Sequence, residues 1–156
     1  MSTSFDRSAP HRGVREPSVL AWLRMTRVFH KILRKSEDHM RCHGLSMAQF
    51  DVLAHVGAAP GITQQELADS LLVTKGNVCQ LLDRMERAHL LERQQQGRSN
   101  RIYLTTRGQD LYGQVVPSHE ELISHQLSTL STDEQRALLD ILRKLDHTLE
   151  FPTCAR

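Results

Sequence analysis

Apolar residues return at helical spacing along most of this chain. From Val19 to His43 they recur every three or four positions, which predicts one long amphipathic helix that ends at Gly44. The same spacing predicts a helix from Met47 to about Val56, a short helix over residues 63–71, and a helix from about Lys75 to Ala88. The first half of the chain is therefore expected to be helical with short connections.

Two more helices are predicted in the last third of the chain. The first begins at Thr105 or Thr106. Pro117 is expected to interrupt and bend it, because proline lacks the backbone N–H that a helix interior needs. The second runs from about Thr132 to Leu149 and carries a leucine stripe.

Three of the helix starts carry a capping box. In this motif a hydroxyl residue precedes Glu or Gln by three positions, and each side chain bonds a backbone N–H that the helix leaves unpaired. The pairs are Ser46 with Gln49, Thr63 with Glu66, and Ser131 with Glu134.

The segment LLERQQQGRSNRIYLT, residues 90–105, has a different pattern. Apolar ends flank a polar centre that contains glycine, which predicts a β-hairpin. The fold class is thus mainly α with a small β-hairpin (a minor α+β content). The helices over residues 63–71 and from Lys75 are joined by Leu72–Val73, which is the spacing of a helix-turn-helix. With the hairpin as a wing, the pattern is that of a winged helix-turn-helix.

Composition narrows the class of protein. The 156 residues are 39% hydrophobic and 24% charged, which is typical of a soluble globular protein, and no apolar run approaches the roughly 20 residues of a membrane helix. Residues 1–18 are polar and predict a flexible leader without a signal peptide, so a cytoplasmic protein is expected. Three widely spaced cysteines form no disulfide framework and no CxxC zinc pattern.

The second helix of the helix-turn-helix and the hairpin tip hold the candidate DNA-binding residues. In this motif the second helix enters the major groove. Amides can pair with adenine, cations reach guanine or phosphate, and glycine permits close approach of the backbone. A polar, cationic hairpin tip suits the neighbouring minor groove. The predicted contacts are Thr74, Lys75, Gly76, Asn77, Gln80, Arg84, Arg98, Ser99, Asn100 and Arg101.

Two other classes of function fit the sequence less well. A winged helix can serve as a protein-interaction module, although the amides and arginines above favour DNA. An enzyme is disfavoured, because the chain has no phosphate-binding glycine loop, no nucleophile elbow and no HExxH motif.

The chain resembles the MarR family of winged-helix transcription regulators from about residue 19 to residue 149. The resemblance is carried by LSMAQFDVLAHV, GITQQELADSLLVTKGNVCQLLDRMERAHLLER and GRSNRIYLTTRGQDL. It implies a homodimer whose dimerisation helices are residues 19–45 and 106–150, a DNA-binding lobe over residues 46–105, and a tail over residues 151–156. It also implies an inverted-repeat operator on double-stranded DNA, and repression as the expected activity.

In many relatives an aspartate on the recognition helix pairs with an arginine of the wing. Asp83 and Arg98 occupy the matching places, so the resemblance predicts that this pair orients the wing. The acidic residue that usually precedes the wing arginine is missing, since Gln96 and Gly97 stand there.

Relatives commonly respond to small aromatic acids or phenols, and no cofactor is required. The resemblance places such an effector between the dimerisation helices and the DNA-binding lobe. The candidate lining residues are Trp22, Phe29, His30, His43 and His119. The operator, the effector and the regulated genes cannot be read from the sequence.

Metal and redox control are the alternatives. His39, Cys42 and His43 lie close together on the first helix, and His119 could approach them, which would suit zinc. A redox sensor needs an exposed thiol of low pKa, and none of Cys42, Cys79 or Cys154 stands in such surroundings by sequence.

Overall fold

The computed structural model describes residues 16–71 and 75–149. Within them the six predicted helices are present, together with three short strands, one more than the predicted hairpin contains. In chain order they are α1 (Pro17–Cys42), α2 (Met47–Ala58), β1 (Ile62–Thr63), α3 (Gln64–Ser70), α4 (Lys75–Arg87), β2 (Leu91–Gln96), β3 (Ser99–Leu104), α5 (Thr106–Gln126) and α6 (Thr132–Thr148).

Few predictions fall on the residues outside this description. The predicted leader and tail lie mostly in residues 1–15 and 150–156, and the turn residues Leu72, Val73 and Thr74 also lie outside the described residues. Helix α1 begins two residues before the predicted start at Val19. Pro17 is its first residue, where a missing N–H costs nothing because that donor has no partner in the helix.

The helix ends follow the local chemistry of the sequence. All three capping boxes are confirmed, for example with Ser46 Oγ accepting from the Gln49 backbone N–H at 3.2 Å. Gly44, with a φ of +71°, ends α1 as predicted. The Gly44 N–H donates to Arg41 O and the Leu45 N–H to Met40 O, which is a Schellman motif that turns the chain into α2.

Helix α5 is continuous through Pro117, so the predicted interruption was wrong. The carbonyl that Pro117 leaves without a donor is that of Gly113, and both residues are exposed. Water can therefore bond that carbonyl, and the helix continues at small cost.

The hairpin is confirmed, but it belongs to a larger sheet. The strand order is β1-β3-β2, and every pairing is antiparallel. Ile62 pairs with Ile102 and Thr63 with Arg101, so β1 ties the start of α3 to the base of the hairpin. A strand of two residues is too short to show alternation, which is why the sequence pattern did not predict it.

The core lies mainly in residues 46–105, which we call the winged lobe or simply the lobe, with contributions from the end of α1 and the middle of α5. Its fully buried side chains are Met40, Val52, Leu53, Val56, Leu67, Val78, Leu82, Met85, Leu91, Ile102 and Val115. Gly108 brings α5 against the lobe, since a Cβ there would stand 1.9 Å from Leu90 O. Helix α5 is thereby anchored to the base of the hairpin.

The helices outside the lobe have a different surface. Helix α6 has no buried residue, and the first half of α1 is exposed as well. We call their exposed apolar side chains the arm face: Val19, Leu20, Trp22, Leu23, Val28 and Phe29 on α1, with Leu138, Leu139, Ile141, Leu142 and Leu145 on α6. Within residues 16–71 and 75–149, no helix combines the length and the apolar character needed to cross a membrane.

Candidate nucleic-acid interface

Helix α4 separates a buried side from a polar side. Val78, Leu82 and Met85 are completely buried, which fixes the rotation of the helix about its axis. Asn77, Gln80 and Arg84 are consequently exposed, as predicted from their spacing. The same three residues line one side of a surface cleft between α2 and α4, so they share one face of the molecule.

The start of α4 is only partly described. Lys75 is its first residue, and the predicted contact Thr74 precedes the described part of the helix. Gly76 is exposed, and a Cβ at this position would meet no atom of the described chain within 4 Å. No neighbour among the described residues therefore requires a glycine at position 76.

The wing, β2 with β3, ends in a two-residue turn. Gly97 has a φ of +61°, a left-handed backbone conformation that tight hairpin turns require and that glycine adopts readily. Arg98, Ser99 and Asn100 are exposed at this tip, as predicted.

Arg101 does not belong to the tip. It lies on the central strand, paired with Gln94 on one side and Thr63 on the other. Its half-buried side chain donates a hydrogen bond to Gly61 O at 2.8 Å. Its guanidinium also lies near Glu66, whose pKa is lowered first by hydrogen bonds from Thr63 and further by this cation. Arg101 thus links the central strand to the backbone at Gly61, and it does not add to the polar surface of the hairpin tip.

The wing is held to α4 by an ion pair other than the predicted one. Asp83 bonds Arg93 at 2.6 Å, and Glu86 bonds the same guanidinium through both Nε and Nη2. The predicted pairing of Asp83 with Arg98 was wrong. Arg98 lies in the hairpin turn, four residues before Ile102, which pairs with Arg93; at the rise of a β-strand it is about 13 Å beyond Arg93 and so farther from α4.

The charges of Arg93, Asp83 and Glu86 shift one another's pKa values although the ion pairs are partly exposed. Hydrogen bonding to Arg93 lowers the pKa of Glu86, and the two carboxylates together raise the pKa of Arg93. The pattern offered one signal for it. Arg93 follows the buried Leu91 on the same side of β2, and Asp83 and Glu86 lie one helical turn apart on α4.

The effector candidates fall into two groups. Trp22, Phe29 and His30 are exposed on the first half of α1. His43 lies at the other end of that helix, about 21 Å from Phe29 at 1.5 Å per residue, and His119 lies near it on α5. One chain therefore does not bring the five residues together.

The second group forms an imidazole cluster where α1 meets α5. The His39 ring lies 5.1 Å from that of His43 and 6.5 Å from that of His119, while the Phe50 ring lies 4.6 Å from His119. His119 Nε2 bonds the buried Ser36, and His39 Nε2 bonds Ser118, both at 3.0 Å.

Burial shifts the pKa of one histidine of this cluster and of a neighbouring carboxyl group. It lowers the pKa of His119, an effect that nearby His39 increases, and it raises the pKa of Asp51, which faces His119 from α2. Cys42 points away, with its thiol donating to Asp38 O at 3.4 Å. Among residues 16–71 and 75–149, no three His, Cys, Asp or Glu side chains are grouped to hold a metal ion.

The positions of the three cysteines give little support to redox control. Cys79 is half-buried on α4, and Cys154 lies outside the described residues. Cys42 is exposed at the end of α1.

Comparison with known proteins places this geometry among DNA-binding regulators. A family model described as "MarR family" matches residues 43–102. A helix-turn-helix transcriptional regulator of Bacillus cereus (strain ZK / E33L) is 30% identical over 130 residues, covering 81% of this chain and 86% of the relative.

Two solved structures with similar folds contain DNA. The MepR–DNA complex of S. aureus has a TM-score of 0.74 and 26% identity, and the match covers 86% of this chain and all of that one. A cysteine-to-serine mutant of E. coli MarR, complexed with operator DNA, also has a TM-score of 0.74 and 26% identity, covering 82% of this chain and 95% of that one.

Proposed function

Because this chain belongs to the MarR family of DNA-binding transcription regulators, we propose that it is a homodimeric, effector-responsive repressor that binds an inverted-repeat operator. The observation that carries the proposal is the exposed face of α4, where Asn77, Gln80 and Arg84 stand together beside a polar wing. The proposal includes no catalytic activity, and it places the protein in the cytoplasm, where the bacterial chromosome is.

In this proposal α4 enters the major groove. Asn77 and Gln80 present amides that can pair with adenine, and Arg84 presents donors for guanine or phosphate. Thr74, Lys75 and Gly76 precede them at the start of the helix, where backbone N–H groups favour phosphate. Gly76 permits close approach, since no group among the described residues of the lobe occupies the space beside it.

The wing contacts the neighbouring minor groove through Arg98, Ser99 and Asn100. Its position relative to α4 is held by Arg93, which bonds Asp83 and Glu86. Arg101 stiffens the base of the wing through Gly61 O. In this scheme Arg93 and Arg101 position the wing, and Arg98 is the cation that meets DNA.

The arm face supports the homodimer. Trp22 is 61% exposed and Ile141 is 65% exposed in a single chain, and the exposed apolar side chains of the arm face are distributed over two helices. An apolar surface of this extent normally marks an interface. A second copy related by a two-fold axis would cover it and set two α4 helices about one DNA turn apart.

A small aromatic acid or phenol is the proposed effector. Trp22, Phe29 and His30 on the first half of α1 offer aromatic surface, and His43 and His119 at its other end offer hydrogen bonds. Since these groups are separated within one chain, a shared pocket would need the second copy. Zinc and oxidants are the competing effectors.

The first test is fluorescence anisotropy with a duplex from upstream of the protein's own gene, in excess random DNA near physiological salt. Binding that survives the competitor is expected. Absence of binding to both DNAs, even at low salt, would overturn the proposal and favour a protein-interaction module.

The same binding assay identifies the class of effector. Benzoate, phenol, zinc chloride and hydrogen peroxide are added separately to the preformed complex. Release by benzoate or phenol alone is expected, whereas release by zinc or peroxide alone would replace the aromatic effector. Run-off transcription from the same duplex, with and without the protein, then gives the sign of regulation.

A further inference from the structure

Two tyrosine rings pack against two glycines where α2, β3 and α5 come together. A Cβ at Gly57, near the end of α2, would stand 2.3 Å from ring carbons of Tyr112 on α5. A Cβ at Gly61, just before β1, would stand 2.8 Å from the hydroxyl of Tyr103 on β3. A side chain at either position would displace a ring, so the glycines provide the space that the two rings occupy.

The two rings border a small pocket that opens to solvent. Its volume is about 210 Å³. Val56 and Leu104, which line its inner side, are buried, whereas Pro60 and Gln109 at its rim are exposed. An apolar cavity of about 150 Å³ is enough to hold benzene. The pocket therefore has room for one six-membered ring with a small substituent.

The lining of the pocket decides which charge a ligand can carry. The described residues that line it are apolar, aromatic, glycine or amide, and none of them is charged. A carboxylate placed there would lose its hydration without gaining a cation. Phenol ionises, like the tyrosine side chain, only near about pH 10, so it is neutral at pH 7. The pocket therefore favours a neutral phenol over an aromatic acid of the same ring size.

A polar group at the rim can orient such a ligand. The Gln109 side-chain amide donates to Leu104 O at 3.4 Å, and no hydrogen bond within the described chain uses the amide oxygen of Gln109. A phenol hydroxyl can donate to that oxygen. Its ring would then lie between Tyr103 and Tyr112, where edge-to-face or offset-stacked packing of aromatic rings is favourable.

We propose that this pocket between Tyr103 and Tyr112, which we call the tyrosine pocket, binds a neutral phenol with a single ring. Its lining residues come from one chain, and none of them belongs to α4. The site is thus separate from the effector position proposed above, which needs a second copy, and it does not depend on DNA binding. A phenol bound there contacts α2, β3 and α5 together.

The test uses fluorine NMR of the full-length protein labelled with 3-fluorotyrosine. The chain has two tyrosines, and both line the pocket, so every label reports from this site. Tyr103→Phe and Tyr112→Phe each leave one resonance and assign the spectrum. Phenol is titrated first, and benzoate is then titrated as a charged ligand with the same ring. Gln109→Ala removes the acceptor, and Gln114→Ala, exposed on the same helix but outside the pocket, is the control.

Phenol should shift both resonances, with a dissociation constant of about 1 mM or below. Benzoate should bind at least about tenfold more weakly, because its charge has no partner in the pocket. Gln109→Ala should weaken phenol binding about fivefold through the lost hydrogen bond, and Gln114→Ala should bind as the wild type does. Unmoved resonances, equal affinity for benzoate, or unchanged affinity in Gln109→Ala would each overturn the proposal.

The single tryptophan distinguishes this pocket from the effector position, because Trp22 is one of the residues proposed there. A change in Trp22 fluorescence on adding phenol, without a shift of the tyrosine resonances, would place phenol at the effector position and overturn the tyrosine pocket. Binding is measured without DNA, so a failure of the proposed DNA-binding function would not alter either readout.

Discussion

The winged lobe, residues 46–105, and the helices that flank it differ in how much of their apolar surface one chain buries. All the buried apolar side chains except Met40, Leu45 and Val115 lie within residues 46–105. Helix α6, by contrast, carries Leu138, Leu139, Leu142 and Leu145 at helical spacing, and none of its residues is buried. The core of one chain is thus centred on the lobe, whereas the arm face on α1 and α6 is uncovered in one chain; in the proposed homodimer a second copy covers it.

The largest expected effect is in the lobe. Leu53→Ala should lower the free energy of unfolding by about 2–5 kcal/mol, because Leu53 is fully buried and its loss leaves a cavity. Urea unfolding followed by circular dichroism measures this loss. The loss should be the same at low and high protein concentration, and a loss that grows on dilution would contradict a self-contained lobe core.

Leu142→Asp should dissociate the proposed dimer without unfolding the lobe. Each protomer would lose about 2–3 kcal/mol of apolar burial in the dimer, so light scattering should show a monomer at micromolar concentration. Lys144→Asp, on the opposite side of α6, is the control and should remain dimeric. A dimeric Leu142→Asp protein would remove the arm face as the interface.

Asn77→Ala tests the role of one exposed side chain of the lobe, since the substitution leaves the buried core and the arm face unchanged. It should weaken binding to the upstream duplex by about 1–3 kcal/mol and binding to random DNA very little. Anisotropy titrations on both duplexes measure the difference. Equal losses on both would mean that Asn77 orients the helix and reads no base.

Arg93→Gln tests how firmly the wing is joined to the lobe. The ion pairs are partly exposed, so the loss should be about 1 kcal/mol at pH 7. Arg136→Gln removes a fully exposed pair with Asp133 and should cost less.

The Arg93 pairs also set an acid dependence. The pKa of Glu86 is held below its ordinary value of 4.5, so this stabilisation is complete above pH 4.5 and is lost as pH falls through the lowered pKa. Arg93→Gln should therefore flatten the fall in stability between about pH 5 and pH 3. An unchanged profile in thermal unfolding would remove Glu86 as a partner.

The smallest effect is expected at the wing tip. Arg98→Ala should weaken binding to all duplexes modestly and reduce the slope of log affinity against log salt by about 1. The arms should be unaffected, so the mass in solution should not change. A variant with the wild-type salt slope would show that Arg98 meets no phosphate.

Much of the fold could be predicted because its signals are local. Ser46, Thr63 and Ser131 mark helix starts through contacts only three residues away, and Gly44 ends α1 by its own backbone conformation. The inward side of α4 followed from spacing alone. Strand β1 could not be predicted, because its two residues are a strand only through their pairing with β3.

The candidate site was less predictable, because it depends on distances across elements. Arg93 and Arg98 are both arginines of one hairpin, and only the register shows that the first lies against α4. The histidines of α1 were identifiable as a cluster by spacing. Their serine partners, Ser36 and Ser118, were not, since each bond crosses between α1 and α5.

Helix α5 is long enough for a small tilt at one end to move its other end by several ångströms. It starts locked against Leu90 in the lobe, passes Val115 in the core, and continues for 21 residues, or about 31 Å, to Gln126 among the arms. A tilt of about 5° at one end displaces the other by roughly 3 Å, close to the rise of one base pair. In the proposed homodimer, a change in the tilt of this helix would therefore change which operator spacing the two lobes can span.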